Sequence, residues 1–128
     1  MAHQTHDLGI ARQIGKYSDA VEVASGGRWL MISGTPGLTA DGTLPSGITA
    51  QAEQVWKNIF ATLQAARMEP SDLVKTTSYL TSAADIEAYA KVRSKYLGDI
   101  RPASMLMVVT GMVRPEFLIE VEAIAVKA

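Results

Sequence analysis

The segment Leu118-Ile-Glu-Val-Glu-Ala-Ile-Ala-Val126 decides which fold the sequence predicts. Its residues alternate as expected for a β-strand, in which successive side chains point to opposite faces of the sheet. One predicted face carries Ile119, Val121, Ala123 and Ala125, and the other carries Leu118, Glu120, Glu122, Ile124 and Val126. Because neither set is fully polar, a sheet that contains this strand needs cover on both faces.

The rest of the chain predicts a mixture of strands and helices. Residues 20–24 and 29–33 predict two strands, and the intervening Ser25-Gly-Gly is a hairpin signal. Residues 49–67 predict a helix because their apolar residues recur at helical spacing. The further predicted elements are a strand at 73–80, a helix that starts near 82–85 and ends at 97, and a strand at 104–110. This order predicts an α+β fold, with one mixed sheet and both helices on one of its faces.

Length and composition limit the possible functions. The 128 residues predict a single domain over 1–128. The formal net charge of -1 argues against nucleic-acid binding, which needs clustered Lys and Arg. The chain has no cysteine, which fits a reducing cytoplasm, and we expect no signal peptide and no membrane span. We also expect no metal site, because His3 and His6 lack further ligands nearby.

The second face of the predicted sheet has no cover within the chain. Both predicted helices belong to the first face, and the sequence contains no third helix. A face that carries Leu118, Ile124 and Val126 is costly to leave in water. The sequence therefore predicts that the chain associates with further copies of itself.

Four segments match short motifs that occur together in one protein family. Ile14-Gly-Lys-Tyr-Ser-Asp-Ala20 is similar to an IGPYSQA opening, and Met31-Ile-Ser-Gly-Thr-Pro36 to a VSGQIP strand end. Asp72-Leu-Val-Lys-Thr-Thr-Ser-Tyr-Leu80 is similar to DVVKTTVFL, and residues 118–126 to VEIEAIAV. From about Ile14 to Lys127, the chain thus resembles the RidA/YjgF reactive-intermediate deaminases, which are also called endoribonuclease L-PSP proteins.

This resemblance implies both an assembly and an activity. It implies a chorismate-mutase-like α+β fold that forms a homotrimer, with a central β-barrel, helices outside and a pocket in each cleft between subunits. It also implies hydrolysis of enamine and imine intermediates to 2-oxo acids and ammonia, without a cofactor or a metal. We therefore expect a small-molecule substrate and a cytoplasmic protein.

The resemblance also assigns roles to individual residues. Glu120 matches the glutamate that positions or activates water, and its apolar neighbours favour a raised pKa suited to acid–base catalysis. Tyr17 matches the tyrosine of the opening motif. Ser33 and Gly34 match the Ser-Gly pair of the pocket, and Thr35 takes the place of the glutamine that follows this pair.

One position departs from the family pattern in a way that affects substrate binding. In the PAR-S motif of the family an arginine binds the substrate carboxylate, and Ser104 stands in its place within Pro102-Ala-Ser-Met105. A hydroxyl cannot replace a bidentate, charge-assisted contact, so the chain is interpreted as a divergent member. Our hypothesis is that Arg93 or Arg101 supplies a substitute contact to the anion.

These residues leave alternative functions open. The first is a hydrolase or deaminase that acts on an enamine, imine or related C–N intermediate, in which Ser104 and Thr35 hold a neutral or differently shaped substrate. The alternative is a non-catalytic trimer that binds small molecules or acts as a chaperone. A third reading, ribonuclease activity, is disfavoured by the net charge.

Overall fold

The fold combines two long helices with one mixed sheet and a short hairpin. The computed structural model describes residues 3–128, and among them no helix is long and apolar enough to cross a bilayer. The strands are β1 (Gln4–His6), β2 (Ala20–Glu22), β3 (Arg28–Pro36), β4 (Leu73–Leu80), β5 (Ala103–Val108) and β6 (Ile119–Lys127). The long helices are α1 (Ile48–Ala65) and α2 (Ile86–Leu97).

The main sheet has the strand order β3-β6-β4-β5. β6 runs antiparallel to both β3 and β4, whereas β4 and β5 are parallel. β3 and β5 are therefore the two edges of this sheet. The mixed α+β fold predicted from the sequence is confirmed.

The predicted hairpin between residues 20–24 and 29–33 is wrong. β2 pairs with β1 in a separate two-stranded sheet, in which Thr5 lies opposite Val21. β3 instead pairs with β6 from Arg28 to Pro36. β6 is the better partner for β3 because it is long and places apolar residues on the core side, whereas β2 has only three residues and largely exposed side chains.

Both helices end where the sequence predicts that they should. Arg67 adopts a positive φ of 57°, and the amide of Met68 donates to the carbonyl of Leu63, which closes the end of α1. The hydroxyl of Ser82 accepts a hydrogen bond from the amide of Ala84 in the short turn before α2. Gly98 follows α2 with a φ of 56°.

The core lies between the helices and one face of the sheet. Ile119, Val121, Ala123 and Ala125 of β6 are buried there, as their alternation predicts. They pack with the apolar stripe of α1, which includes Val55, Trp56 and Ile59. The opposite face, termed the open face below, leaves Trp29 58%, Met31 67% and Met105 53% exposed. The predicted lack of cover is therefore confirmed at these positions, but not at Val126, which was predicted on this face and is fully buried within the chain.

Gln51 is a buried polar residue that joins α1 to the loop before β6. Its side-chain amide donates to the carbonyl of Glu116 at 3.2 Å, and its carbonyl oxygen accepts from the amide of Leu118 at 2.9 Å. Only 3% of Gln51 is exposed. Water cannot easily replace these bonds, so Gln51 sets where the last strand begins.

We predict that Gln51→Leu lowers the free energy of unfolding by about 1–3 kcal/mol, because two backbone groups lose their partners. Chemical denaturation would measure this change. Gln64→Leu, at an exposed position of the same helix, is the control, and we expect it to change stability by no more than about 0.5 kcal/mol. Equal effects of the two substitutions would contradict this role of Gln51.

Candidate functional site

Glu120 lies on the open face, near the start of β6. In the sheet it is paired with Tyr79 of β4 on one side and with Pro36 of β3 on the other. Partial burial raises the pKa of the Glu120 carboxyl above its usual value, since desolvation disfavours the charged form. No ion pair or hydrogen bond among residues 3–128 stabilises its charge. The carboxyl therefore keeps its proton to a higher pH than an ordinary glutamate, which favours a role in proton transfer.

A β-bulge places the Ser-Gly pair against this carboxyl. The register between β3 and β6 shifts between Ile32 and Thr35, so Ser33 and Gly34 occupy the bulge. A Cβ atom at position 34 would lie 2.8 Å from Oε1 of Glu120, a distance that real Cβ atoms do not tolerate. Any side chain at position 34 would force the Glu120 side chain to move, so the glycine allows the carboxylate to approach the backbone as it does here.

The hydroxyl of Thr35 is engaged within its own strand. It donates to the carbonyl of Ser33 at 2.8 Å, which stabilises the bulge. In the sheet Thr35 is opposite Val121, which is buried under the helices, whereas Pro36 is opposite Glu120. The hydroxyl of Thr35 also already has a partner in the isolated chain. Its predicted contact with a substrate remains a prediction.

The open face also carries a shallow concavity of about 390 Å³ beside the bulge. Ser33, Lys75, Thr77 and Glu122 contribute its polar lining. Glu122 accepts a hydrogen bond from the hydroxyl of Tyr79 at 2.7 Å. That bond and the neighbouring negative charge raise the pKa of Tyr79. Glu122 thus has a partner, unlike Glu120, and motif comparison did not predict this Tyr79–Glu122 pair.

Tyr17 lies at the other edge of the sheet. Its neighbour Ser18 donates from its amide to the carbonyl of Pro102 at 3.3 Å and from its hydroxyl to the carbonyl of Arg101 at 2.6 Å. Ser18 also forms a parallel bridge with Ala103 at the start of β5. These bonds hold the 14–20 segment against the β5 edge and so position Tyr17 there.

Arg93 lies beside Tyr17. A Cβ atom at Gly15 would lie 3.5 Å from both Nη2 of Arg93 and the ring of Tyr17, so the two side chains flank the same point. The guanidinium of Arg93 also lies over the ring of Tyr89, at 5.9 Å from its centroid. The structure therefore brings together two of the predicted binding residues.

Ser104 lies on the helix side of the sheet. Its hydroxyl is 2.9 Å from the hydroxyl of the fully buried Thr76 and 3.2 Å from the carbonyl of Pro102. Glu120 is opposite Tyr79 in the sheet, so these two side chains share a face. Thr76 and Tyr79 are three residues apart on β4, and side chains alternate along a strand, so Thr76 lies on the face opposite to that of Glu120. Within one chain, Ser104 therefore does not lie on the same face as Glu120.

The predicted site residues thus form two groups. The first group consists of Ser33, Gly34 and Thr35 on the edge strand β3 and Glu120 on its neighbour β6. The second group consists of Tyr17, Arg93 and Ser104 at the β5 edge. Strand β4 lies between β6 and β5, and Ser104 is on the helix side of the sheet, so a single chain does not unite the two groups.

The two histidines have partners outside both groups. His3 lies 2.7 Å from the carbonyl of Val126, and His6 lies 2.8 Å from Glu22. In the part of the chain that the structure describes, no three potential ligand side chains cluster in a way that could hold a metal ion.

Comparison with known proteins gives the family. Residues 10–127 match the family model described as Endoribonuclease L-PSP. The chain belongs to the RidA/YjgF family. Among RidA/YjgF relatives, it is 36% identical over 118 residues to a RutC family protein of Pyrococcus horikoshii, covering 91% of this chain and 90% of that protein. It is 34% identical over 116 residues to the mouse 2-iminobutanoate/2-iminopropanoate deaminase, covering 89% and 83% of the two chains.

Solved structures of RidA/YjgF proteins have the same fold. YyfB of Yersinia pestis, described as a Rid family protein of unknown function, is 32% identical and superimposes with a TM-score of 0.85, covering 98% of both chains. RidA of Psychrobacter is 33% identical with a TM-score of 0.73, covering 88% of this chain and 89% of that one. The RidA/YjgF membership predicted from the motifs is therefore confirmed.

We predict that Glu120→Gln raises the free energy of unfolding at neutral pH. The pKa of Glu120 is higher in the folded chain than in the unfolded chain, so between these two values the folded chain binds more protons. The free energy of unfolding of the wild type therefore falls as the pH rises from the ordinary glutamate pKa of about 4.3 through the raised pKa. The gain of the Gln variant should therefore be present above the raised pKa and vanish at pH values well below about 4. Urea denaturation across this range would measure it.

Glu116→Gln, an exposed position in the loop before β6, is the matched control and should show no such gain. A lower stability of the Glu120→Gln variant at neutral pH would contradict the desolvation of this carboxyl.

Proposed function

We propose that this RidA/YjgF protein is a cytoplasmic homotrimer that hydrolyses an enamine, imine or related C–N intermediate without a cofactor. The observation that carries this proposal is the Glu120 carboxyl. It has a raised pKa, no partner among residues 3–128, and a glycine backbone against it. Carboxyls with such properties on an otherwise uncovered face are typical of acid–base catalysts.

Glu120 would act through successive proton transfers. Glu120 takes a proton from water as the oxygen attacks the carbon of the protonated imine, and the neutral carbinolamine forms. It then returns this proton to the amine nitrogen. The C–N bond breaks as the carbinolamine hydroxyl gives its proton back to the Glu120 carboxylate, so that ammonia leaves and a 2-oxo compound remains. An enamine substrate first gains a proton on carbon and becomes the protonated imine. No oxidant or reductant is needed.

The pocket in this proposal lies between subunits. Ser33, Gly34, Thr35 and Glu120 of one chain would face Tyr17 and Ser104 of the next, because the first group lies on β3 and β6 and the second lies at the opposite edge, along β5. The exposed Trp29, Met31 and Met105 support this assembly, since apolar side chains on an open face favour burial against copies of the same surface. Three open faces would then line a central β-barrel.

Two kinds of relative support the choice of substrate. The mouse relative at 34% identity is named a 2-iminobutanoate/2-iminopropanoate deaminase, and a goat relative at 35% identity carries the same name. The imines of short 2-oxo acids are therefore the first substrates to test. The family model is named for an endoribonuclease, but a net charge of -1 gives little attraction for RNA.

We predict that Glu120→Ala reduces ammonia release from freshly generated 2-iminobutanoate by at least about 100-fold, since general acid–base catalysis contributes about 100- to 10,000-fold. The assay would follow ammonia after an upstream enzyme generates the imine. Glu116→Ala is the control and should retain full activity, and both variants should keep the mass of the wild-type assembly.

Two outcomes would decide against parts of this proposal. Unchanged turnover in Glu120→Ala would remove Glu120 from the mechanism. If the wild type binds 2-oxo acids but no imine substrate is hydrolysed faster than in buffer, the protein is the non-catalytic binder instead.

We predict that Met31→Lys separates the assembly into single chains, because a charge on the open face would be buried without a partner. Sedimentation velocity would measure the mass. Val113→Lys is the control, as Val113 is 86% exposed in the loop before β6 and should not change the mass. A wild type that sediments as one chain would overturn the proposed trimer.

A further inference from the structure

One arginine of this chain is partly buried without any compensating bond. Arg93 and Arg101 are the two partly buried arginines, and the others are exposed. Nη1 of Arg101 donates to the carbonyls of Gly98 at 2.6 Å and Ile100 at 3.1 Å. Among residues 3–128, Arg93 has neither a hydrogen bond to an acceptor nor a carboxylate within ion-pair distance. Among these residues its N–H groups therefore remain available to bind an anion or another acceptor.

The surroundings of Arg93 restrict which group can meet that need. Tyr89 lies below the guanidinium, and Gly15 and Tyr17 lie beside it. Because position 15 has no side chain, no Cβ atom stands between Arg93 and Tyr17. The tyrosine brings a phenol that can donate a hydrogen bond. The place is therefore open to a small group that accepts hydrogen bonds and carries negative charge.

We propose that Arg93, with Tyr17 beside it, binds the carboxylate of a small-molecule ligand. A guanidinium presents two parallel N–H donors that match the two oxygens of a carboxylate. One arginine also neutralises the single charge of a carboxylate, whereas a phosphate carries nearly two charges and would need further cations. A carboxylate is thus the anion that fits this place.

A chain of contacts relates Arg93 to the position of Ser104. The hydroxyl of Ser104 contacts Thr76, and Ser78 lies two residues further on the same face of β4. The hydroxyl of Ser78 is 2.6 Å from that of Tyr89, over whose ring Arg93 lies. Arg93 and Ser104 therefore lie on the same side of the sheet near the β5 edge. In this chain the cation near the β5 edge is therefore Arg93 of helix α2, because Ser104 of strand β5 carries no charge.

The claim that the bound carboxylate belongs to the substrate rests on the proposed function. The claim that Arg93 and Tyr17 form an anion site does not. Its test is therefore a binding measurement on the full-length protein, without turnover. Titration calorimetry with 2-oxobutanoate, the stable product of 2-iminobutanoate hydrolysis, should show binding to the wild type. The neutral 2-oxobutanamide should bind much more weakly.

Three variants locate the contact. Arg93→Gln should weaken the binding of 2-oxobutanoate roughly 10- to 100-fold, which is the value of a charge-assisted pair. Arg93→Lys should lose less, because it keeps the charge without the bidentate geometry. Arg67→Gln, at an exposed position after α1, should bind like the wild type. Binding of 2-oxobutanamide should be the same in all four proteins.

The outcomes separate this proposal from the proposed function. The anion site is overturned if the wild type does not bind 2-oxobutanoate, or if Arg93→Gln binds it as the wild type does. It is also overturned if Arg93→Gln only separates the subunits, because Arg93 would then pair with a neighbouring subunit. Hydrolysis of 2-iminobutanoate with an unchanged KM in Arg93→Gln would leave the proposed function intact and refute the anion site. Arginine-dependent binding without hydrolysis would do the reverse.

Discussion

The structure depends on the position of β6 between two other strands. Because both of its edges are hydrogen-bonded, each of its side chains must point either to the helices or to the open face. Ile119 and Val121 are fully buried under the helices. The intervening Glu120 therefore lies on the open face, and a register slip of one residue would expose those apolar side chains while burying two carboxylates. The hydrophobic core thus enforces the position of the Glu120 carboxyl.

The same constraint links the assembly to the site. A helix that covered the open face would bury Met31 and Trp29, but it would also close access to Glu120. Copies of the chain can cover the apolar part of this face and leave clefts where their edges meet. In the proposed trimer, the β3 edge brings the carboxyl and the bulge, and the β5 edge brings Tyr17 and Arg93. In this proposal an isolated chain contains only the two halves of the site, so catalysis and assembly would depend on one surface.

Much of this fold follows from periodicity in the sequence, whereas strand pairing does not. The alternation in residues 118–126 and the apolar stripe of α1 are strong local signals, and both elements formed as predicted. The predicted hairpin failed because a Gly-Gly turn shows that the chain reverses but not which strand it will join. β1 was not predicted, since its three residues are all exposed and carry no apolar pattern. Which strands pair is decided by tertiary contacts, and a local sequence pattern does not contain information about them.

The site was predictable in its residue types but not in its orientations. Motif comparison pointed to Glu120 and Gly34, and the 2.8 Å approach gives a physical reason for the glycine. It could not show that Ser104 faces the helices. Residues 104–108 are largely apolar on both faces, so their alternation gives no direction, and only pairing of Ser104 with Thr76 settles it. The bulge and the Tyr79–Glu122 hydrogen bond are likewise products of pairing between distant segments.

Each of the two groups of site residues contains one partly buried ionisable side chain that has no ion-pair partner among residues 3–128. A fold selected for stability alone would pair a partly buried carboxyl with a partly buried guanidinium, since each then offsets the desolvation of the other. Here Glu120 lies on the open face of β6 and Arg93 lies on helix α2 on the other side of the sheet, so the two do not pair. Unpaired ionisable groups of this kind are characteristic of binding and catalytic sites, where a ligand supplies the missing partner. A carboxylate-bearing imine would meet both needs at once, with its anion at Arg93 and its reacting carbon within reach of water at Glu120.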